Sequence, residues 1–235
     1  MKILALDSSG LVASAALTED DNLLAEYTVN NKKTHSQTLL PMVEEIVRVT
    51  DTELSDVDAI AVAAGPGSFT GLRIGAATVK GLALALEKPI VPVPTLEGLA
   101  YNLWGSSNLI CPIMDARRNQ VYTGLYRFEK DGLVTVMDQQ PLDIDELTEL
   151  LLQKEENVIF AGDGIQVYRA RIMEKMPDAQ FAPAHMNKQR AGSIAFAGAN
   201  RFACGQFTDG DSFAPEYLRV SQAERERKEK GEKNE

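Results

Sequence analysis

Residues 1–29, MKILALDSSGLVASAALTEDDNLLAEYTV, read as three consecutive strands and set the frame for the rest of the chain. Ile3 to Leu6 is an unbroken apolar run ending at Asp7, the pattern of a strand covered on both faces. Val12 to Leu17 and Leu23 to Val29 follow, and the acidic stretch Glu19-Asp20-Asp21-Asn22 between them reads as a hairpin turn. From Ser36 the period lengthens. Leu39, Met42, Val43 and Ile46 form one helical stripe, with Glu44, Glu45 and Arg48 on the other side. Val57 to Ala64 is another buried strand, Phe69 to Leu86 a helix stopped by Lys88-Pro89, and Ile90 to Val93 a strand. Thr95 is expected to cap a helix that runs to about Trp104.

The second half repeats the order. Leu109 to Met114, Val121 to Phe128 and Leu133 to Met137 are strands, with Asp131-Gly132 as the turn between the last two. Asp143 to Gln153 is helical, Val158 to Ala161 a strand, Ile165 to Met176 a helix, and Ser193 to Ala203 one more. A hairpin makes antiparallel neighbours, whereas a strand reached over a helix pairs in parallel. Strand-strand-strand-helix-strand-helix, occurring twice, therefore predicts an α/β fold: a duplicated ribonuclease-H-like architecture of the actin, hexokinase and Hsp70 kind. The polar break Gly105-Ser106-Ser107-Asn108 divides it into units 1–107 and 108–220. Residues 221–235, with five acidic, five basic and one apolar side chain, read as a solvated charged tail.

Composition narrows the function. Of 235 residues, 44% are hydrophobic and 25% charged, an ordinary globular balance. The 34 acidic against 24 basic residues give −10, which argues against a broad nucleic-acid-binding surface. Part of that charge lies at 138–156, where seven carboxylates meet only Lys154, the mark of a solvated face. Two cysteines and two histidines exclude a disulfide framework, a Cys-rich zinc site and a His-rich metal centre. MKILALDSS lacks the pattern of a signal peptide, and no run approaches the ~20 apolar residues of a membrane span. A cytoplasmic protein is expected.

Segment 65–75, GPGSFTGLRIG, follows a strand and opens a helix, where backbone N–H groups can hold an anion. It departs from the standard phosphate loops: Leu72, not Lys, follows Gly71, and Thr70 stands where a dinucleotide fingerprint has glycine. The favoured reading is a tight turn with Ser68 or Thr70 as N-cap and Gly71 and Gly75 admitting close packing. Asp7, Ser9 and Gly10 are phosphate-loop-like: a carboxylate there could orient a magnesium-bound water, or the turn could hold only an Asx-type hydrogen bond. In the corresponding turn of the second half, Met114-Asp115 is followed by the bulky Ala116, Arg117, Arg118 and Asn119, which close that half of a nucleotide clamp. Leu39 stands four residues after His35, so a His-xxx-His metal pair is missing, and no serine has an evident base. Gly162-Asp163-Gly164 reads as an ordinary strand-to-helix turn. No catalytic residue, metal ligand or cofactor site of this chain alone is assigned.

MKILALDSS, HSQTLLPMVEEI at 35–46, GPGSFTGLRIG at 65–75, MDARRNQVY at 114–122 and PEYLR at 215–219 resemble the bacterial TsaB (YeaZ) family. The resemblance covers the chain up to the tail. It implies the duplicated actin-like fold and a part in making threonylcarbamoyladenosine, next to the anticodon of tRNAs that read codons beginning with adenine. It also implies a non-catalytic paralogue of TsaD that dimerises with that metal-bearing transferase and is joined by the ATPase TsaE. ATP and metal are then expected in the partner subunits, and tRNA is met weakly or through the complex.

The resemblance further implies a partner interface on the two helices of the first half. On helical faces it is expected to include His35, Leu39, Met42, Val43 and Ile46, with Arg73, Ala76, Ala77 and Lys80. Leu40 and Val47 widen the first apolar stripe, and Gly71, Gly75 and Gly81 smooth the second helix. Two helices from each subunit would bury about 1,200–2,000 Å² in total. The same surface offered to a second copy would give a homodimer when the partner is absent. Two enzyme alternatives stand beside this reading. A sugar- or acyl-kinase-like phosphotransferase is supported by Asp7 and the fold but opposed by Ala116-Arg117-Arg118. A peptidase is supported only by the older name of the superfamily, glycoprotease.

Overall fold

Three antiparallel strands open each half of the chain, and each trio is extended by strands that arrive over helices. The computed structural model describes residues 1–31, 34–130 and 132–219. In the first half β1 (Lys2–Asp7), β2 (Ala13–Glu19) and β3 (Asn22–Val29) pair antiparallel, with Glu19 opposite Asn22 across a two-residue turn. α1 (His35–Thr50) leads to β4 (Ala59–Gly65), parallel to β1, and α2 (Phe69–Leu86) leads to β5 (Ile90–Pro94), parallel to β4. The resulting sheet has the order β3-β2-β1-β4-β5.

The second half contains β6 (Leu109–Asp115), β7 (Gln120–Glu129), β8 (Gly132–Asp143), α4 (Ile144–Leu152), β9 (Val158–Ala161), α5 (Gly164–Lys175) and β10 (Gln180–Phe181). Its order, β10-β9-β6-β7-β8, is that of the first sheet with each strand advanced by five. The expected duplication of a ribonuclease-H-like unit is therefore present in topology and pairing sense. The two-residue β10 went unread, because Gln180-Phe181 is too short to show any period. β8 extends to Asp143, beyond the expected end at Met137.

Each sheet is covered on both faces, which is why β1 and β4 are continuous apolar runs. α1 and α2 cover one face of the first sheet, and α4 and α5 one face of the second. The other two faces are covered by exchange. α6 (Ala191–Ala203), from the second half, lays Ala191, Ile194, Ala195 and Ala197 on Ile3, Ala5, Ala59 and Ala61 of the first sheet. α3 (Thr95–Tyr101), from the first half, packs Leu96, Leu99 and Ala100 against Ile110, Met114 and Tyr126 of the second. Small residues on both sides let α6 lie close: a Cβ on Gly198 would stand 2.6 Å from that of Ala61. The 107/108 boundary thus separates the two sheets, while each core draws one helix from across it.

α3 ends at Tyr101 rather than near Trp104, and Pro94 is its N-cap. The Thr95 hydroxyl instead accepts the Gly65 N–H at 3.2 Å, tying α3 to the end of β4. Residues 204–219 return to the first half: Thr208 exchanges two backbone hydrogen bonds with Ile90, and Phe213 enters the first core. Asp131 of the expected hairpin turn and the tail 221–235 lie outside the described residues.

Candidate functional site

Asp7 ends β1, and the turn it begins sits against the segment that links β4 to α2. Asp7 is 1% exposed, and its Oδ1 accepts the Ser9 N–H at 2.9 Å and the Ser9 hydroxyl at 2.6 Å. This is an Asx-type turn. Burial pushes the Asp7 carboxyl up to about 6, while the Ser9 hydrogen bonds and His35 pull the other way. The Ser68 N–H donates to the Ser9 carbonyl at 2.7 Å, and the Ser8 hydroxyl donates to the Gly71 carbonyl at 2.9 Å. Glycine permits that approach. A Cβ on Gly67 would stand 2.4 Å from the Ser9 carbonyl oxygen, and one on Gly71 would stand 2.0 Å from that of Ser8. Ser68 caps α2, accepting the Gly71 N–H at 3.3 Å. On the other side the Gln189 amide lies over Gly10, where a Cβ would come within 2.6 Å of Nε2. Residues 65–75 are thus a packing turn.

His35 opens α1 with Nε2 2.9 Å from the Gly10 carbonyl oxygen, a contact that a ring N–H makes. Its Nδ1 is buried without a partner. The Ser8 and Ser9 hydroxyls donate to Gly71 and Asp7 and not to this ring, so no serine–histidine pair forms here.

The corresponding turn after β6 is built differently. Asp115 Oδ1 accepts the Arg117 N–H at 2.9 Å and the Tyr168 hydroxyl at 3.2 Å. The Ala116 N–H is bonded to the Gln120 carbonyl at 2.9 Å. Arg117, Arg118 and Asn119 follow with φ of 65°, 56° and 60°, three successive left-handed residues without a glycine. Each costs on the order of 1 kcal/mol. Gly162 packs its α-carbon on β6, since a Cβ there would meet the Ile113 carbonyl oxygen at 2.1 Å. The Asp163 carboxyl is raised by burial and accepts the Asp115 N–H at 3.2 Å. A phosphate chain held between two such turns needs free N–H groups and room to approach them. Here the amides of Ser9, Ala116 and Arg117 are bonded within the chain, and two arginines stand on the second turn. The Ser9, Ala116 and Arg117 amides are therefore not available to a phosphate. Among the described residues, no three His, Cys, Asp or Glu side chains converge on a metal position.

α1 and α2 lie side by side on the first sheet. Leu39, Met42, Val43 and Ile46 are at most 5% exposed and pack with Leu4, Leu6, Leu17 and Val62. Ala76 is also buried, and His35 is half-buried against Gly10. The expected contact set is corrected at five positions: the Leu39 stripe and Ala76 are core, spent on the subunit's own sheet. The outward surface holds Leu40, 55% exposed, on α1, and Arg73, Ala77, Gly81 and Leu84 on α2, with Lys80 half-buried. Leu84 is 83% exposed. α2 has a mean hydropathy of 1.3 over 18 residues, apolar enough to cross a membrane by length and composition, yet a third of it is buried. α2 is thus an apolar helix packed on one side, with small and apolar residues left on the other.

Similarity to known proteins gives the family. Residues 22–227 match the family described as TsaD: tRNA N6-adenosine threonylcarbamoyltransferase. The chain is 37% identical, over 95% of its own length and 96% of the relative's, to the tRNA threonylcarbamoyladenosine biosynthesis protein TsaB of Bacillus subtilis strain 168. It is 38% identical to the protein of the same description from Escherichia coli K12, over 57% of this chain and 58% of that one. The solved structure of YeaZ from Pseudomonas aeruginosa superposes with a TM-score of 0.77 at 27% identity, over 92% of this chain and 99% of that one.

Proposed function

We propose that this chain, which belongs to the TsaB (YeaZ) family of tRNA threonylcarbamoyladenosine biosynthesis proteins, is a scaffold subunit and not itself the transferase. In this reading the outward face of α1 and α2 dimerises with a catalytic TsaD-type subunit. The ATPase TsaE joins that pair, ATP and metal reside in the partner subunits, and tRNA is engaged by the complex. The same face offers a homodimer contact when the partner is absent.

The observation that carries the reading is α2. It exposes Leu84 and a smooth Ala77–Gly81 surface while its other side is committed to the first sheet. The bonded amides of the two turns support the absence of a phosphotransfer role, and the Ser8 and Ser9 hydroxyls, which donate to Gly71 and Asp7 rather than to His35, give a peptidase no support. Reconstitution tests it. The chain alone, given tRNA, ATP and threonylcarbamoyl-adenylate, forms no modified adenosine, and adding the TsaD-type and TsaE-type proteins of the same organism produces it. ATP turnover by the isolated chain that Asp7→Asn abolishes would overturn the proposal.

A further inference from the structure

On the α2 face we infer that Arg73 is the specificity contact, that Tyr217 is the residue positioning it, and that the group it receives is a carboxylate on the partner's surface. This deepens the partner reading above and rests on it. Phe69 and Arg73 lie one turn apart on α2. Tyr217 stacks on Phe69 with ring centroids 4.3 Å apart and planes within 5°. The Arg73 guanidinium lies 5.5 Å from the Phe69 centroid and 5.9 Å from that of Tyr217, and its Nε donates to the Tyr217 hydroxyl at 3.4 Å. Among the described residues, nothing hydrogen-bonds the two terminal nitrogens of Arg73, and no carboxylate pairs with it. A guanidinium steadied through one nitrogen and one face keeps the fork that matches a carboxylate.

Charge favours the same occupant. α2 carries Arg73 and Lys80 and no acidic residue, on a chain with a net charge of −10. α2 is therefore a local cationic strip on an acidic body, complementary to a carboxylate.

Tyr217 owes its place to a strap that touches both halves. The Glu216 N–H donates to the Ala64 carbonyl at 2.7 Å, and Gln139 of β8 donates to the Glu216 carboxylate at 2.7 Å and to the Gly65 carbonyl at 3.2 Å. Arg219 donates to the Ala116 carbonyl at 2.6 Å. The ring over Arg73 is thus anchored to the end of β4 and to the second sheet.

The test is a double-mutant cycle on the full-length chain. The dissociation constant for the TsaD-type protein of the same organism is measured by calorimetry at low and at 1 M salt. Arg73→Ala is expected to weaken binding about 10- to 50-fold. Tyr217→Leu is expected to weaken it about five- to tenfold through lost pre-organisation, and Tyr217→Phe, which keeps the stack, by less. The double variant should bind no more than about twofold worse than Arg73→Ala, and the Tyr217 effect should fade at 1 M salt, where screening reaches about 3 Å. Additive losses, or a Tyr217→Leu effect that survives high salt, assign Tyr217 a merely structural role and overturn the inference. So does undiminished binding by Arg73→Ala. A wild-type chain that fails to bind overturns the partner reading itself, a result none of the variant outcomes mimics.

Discussion

Replacing Gly71 with alanine places a methyl group 2.0 Å from the Ser8 carbonyl oxygen, whereas the same change at Gly81, nearly three turns along α2, meets nothing within 4 Å. Both sites are helical, so alanine gains about 1 kcal/mol of propensity at each. At Gly71 that gain is opposed by overpacking, about 1–3 kcal/mol, because the obstacle is backbone. Moving the helix also strains the Ser8–Gly71 hydrogen bond, worth about 0.5–1.5 kcal/mol. The balance is a loss of about 1–3 kcal/mol for Gly71→Ala and a gain of up to about 1 kcal/mol for Gly81→Ala. For a chain of this size each kcal/mol moves the melting temperature by about 2–4 °C. Urea titration and calorimetry on the two variants should therefore show shifts of opposite sign. A Gly71→Ala protein as stable as wild type would refute the claim that the 65–75 glycines serve packing against the 7–10 turn.

Val43→Asp should unfold the protein or leave it severely destabilised, visible by circular dichroism, because Val43 is 1% exposed in the first core. Asp7→Asn should be stabilising at pH 7.5. The folded carboxyl titrates near 6, above its ordinary value of 3.8, so the native state binds the extra proton and wild-type stability falls as pH rises from about 4 to about 6. The gain, about 1–3 kcal/mol by denaturant titration at pH 7.5, should vanish by pH 4, and a pH-independent effect would contradict it. For tRNA, the isolated chain should bind weakly and with steep salt dependence, given its net charge of −10. Submicromolar binding near physiological salt in a filter assay would contradict that.

The strands could be read because each half opens on an apolar run broken by turn residues, and Ile3–Leu6 and Val57–Ala64 carry their double-sided burial in composition alone. The exchange of α3 and α6 could not. Leu96, Leu99 and Ile194 mark apolar faces, but periodicity does not say which sheet a face will meet. The same limit put core residues into the expected contact set. Leu39, Met42, Val43 and Ile46 form the most regular stripe in the chain, and regularity marked the face turned inward. The outward surface is Ala77, Gly81 and Leu84, visible as small and apolar residues on a helix that needed only one buried side. Tyr217 escaped notice because its role depends on Phe69 and Arg73, 144 or more positions away in sequence. The one signal was the motif PEYLR at 215–219, which carries the family resemblance without saying what its tyrosine meets.

Sedimentation of the chain with its TsaD-type paralogue, wild type against Ala77→Glu, tests the scaffold account most directly. Ala77 is exposed on the outward face of α2, so glutamate there leaves the core untouched. The account predicts that the variant melts like wild type but no longer co-sediments with the paralogue. A folded Ala77→Glu chain that still forms the complex with wild-type affinity would contradict it.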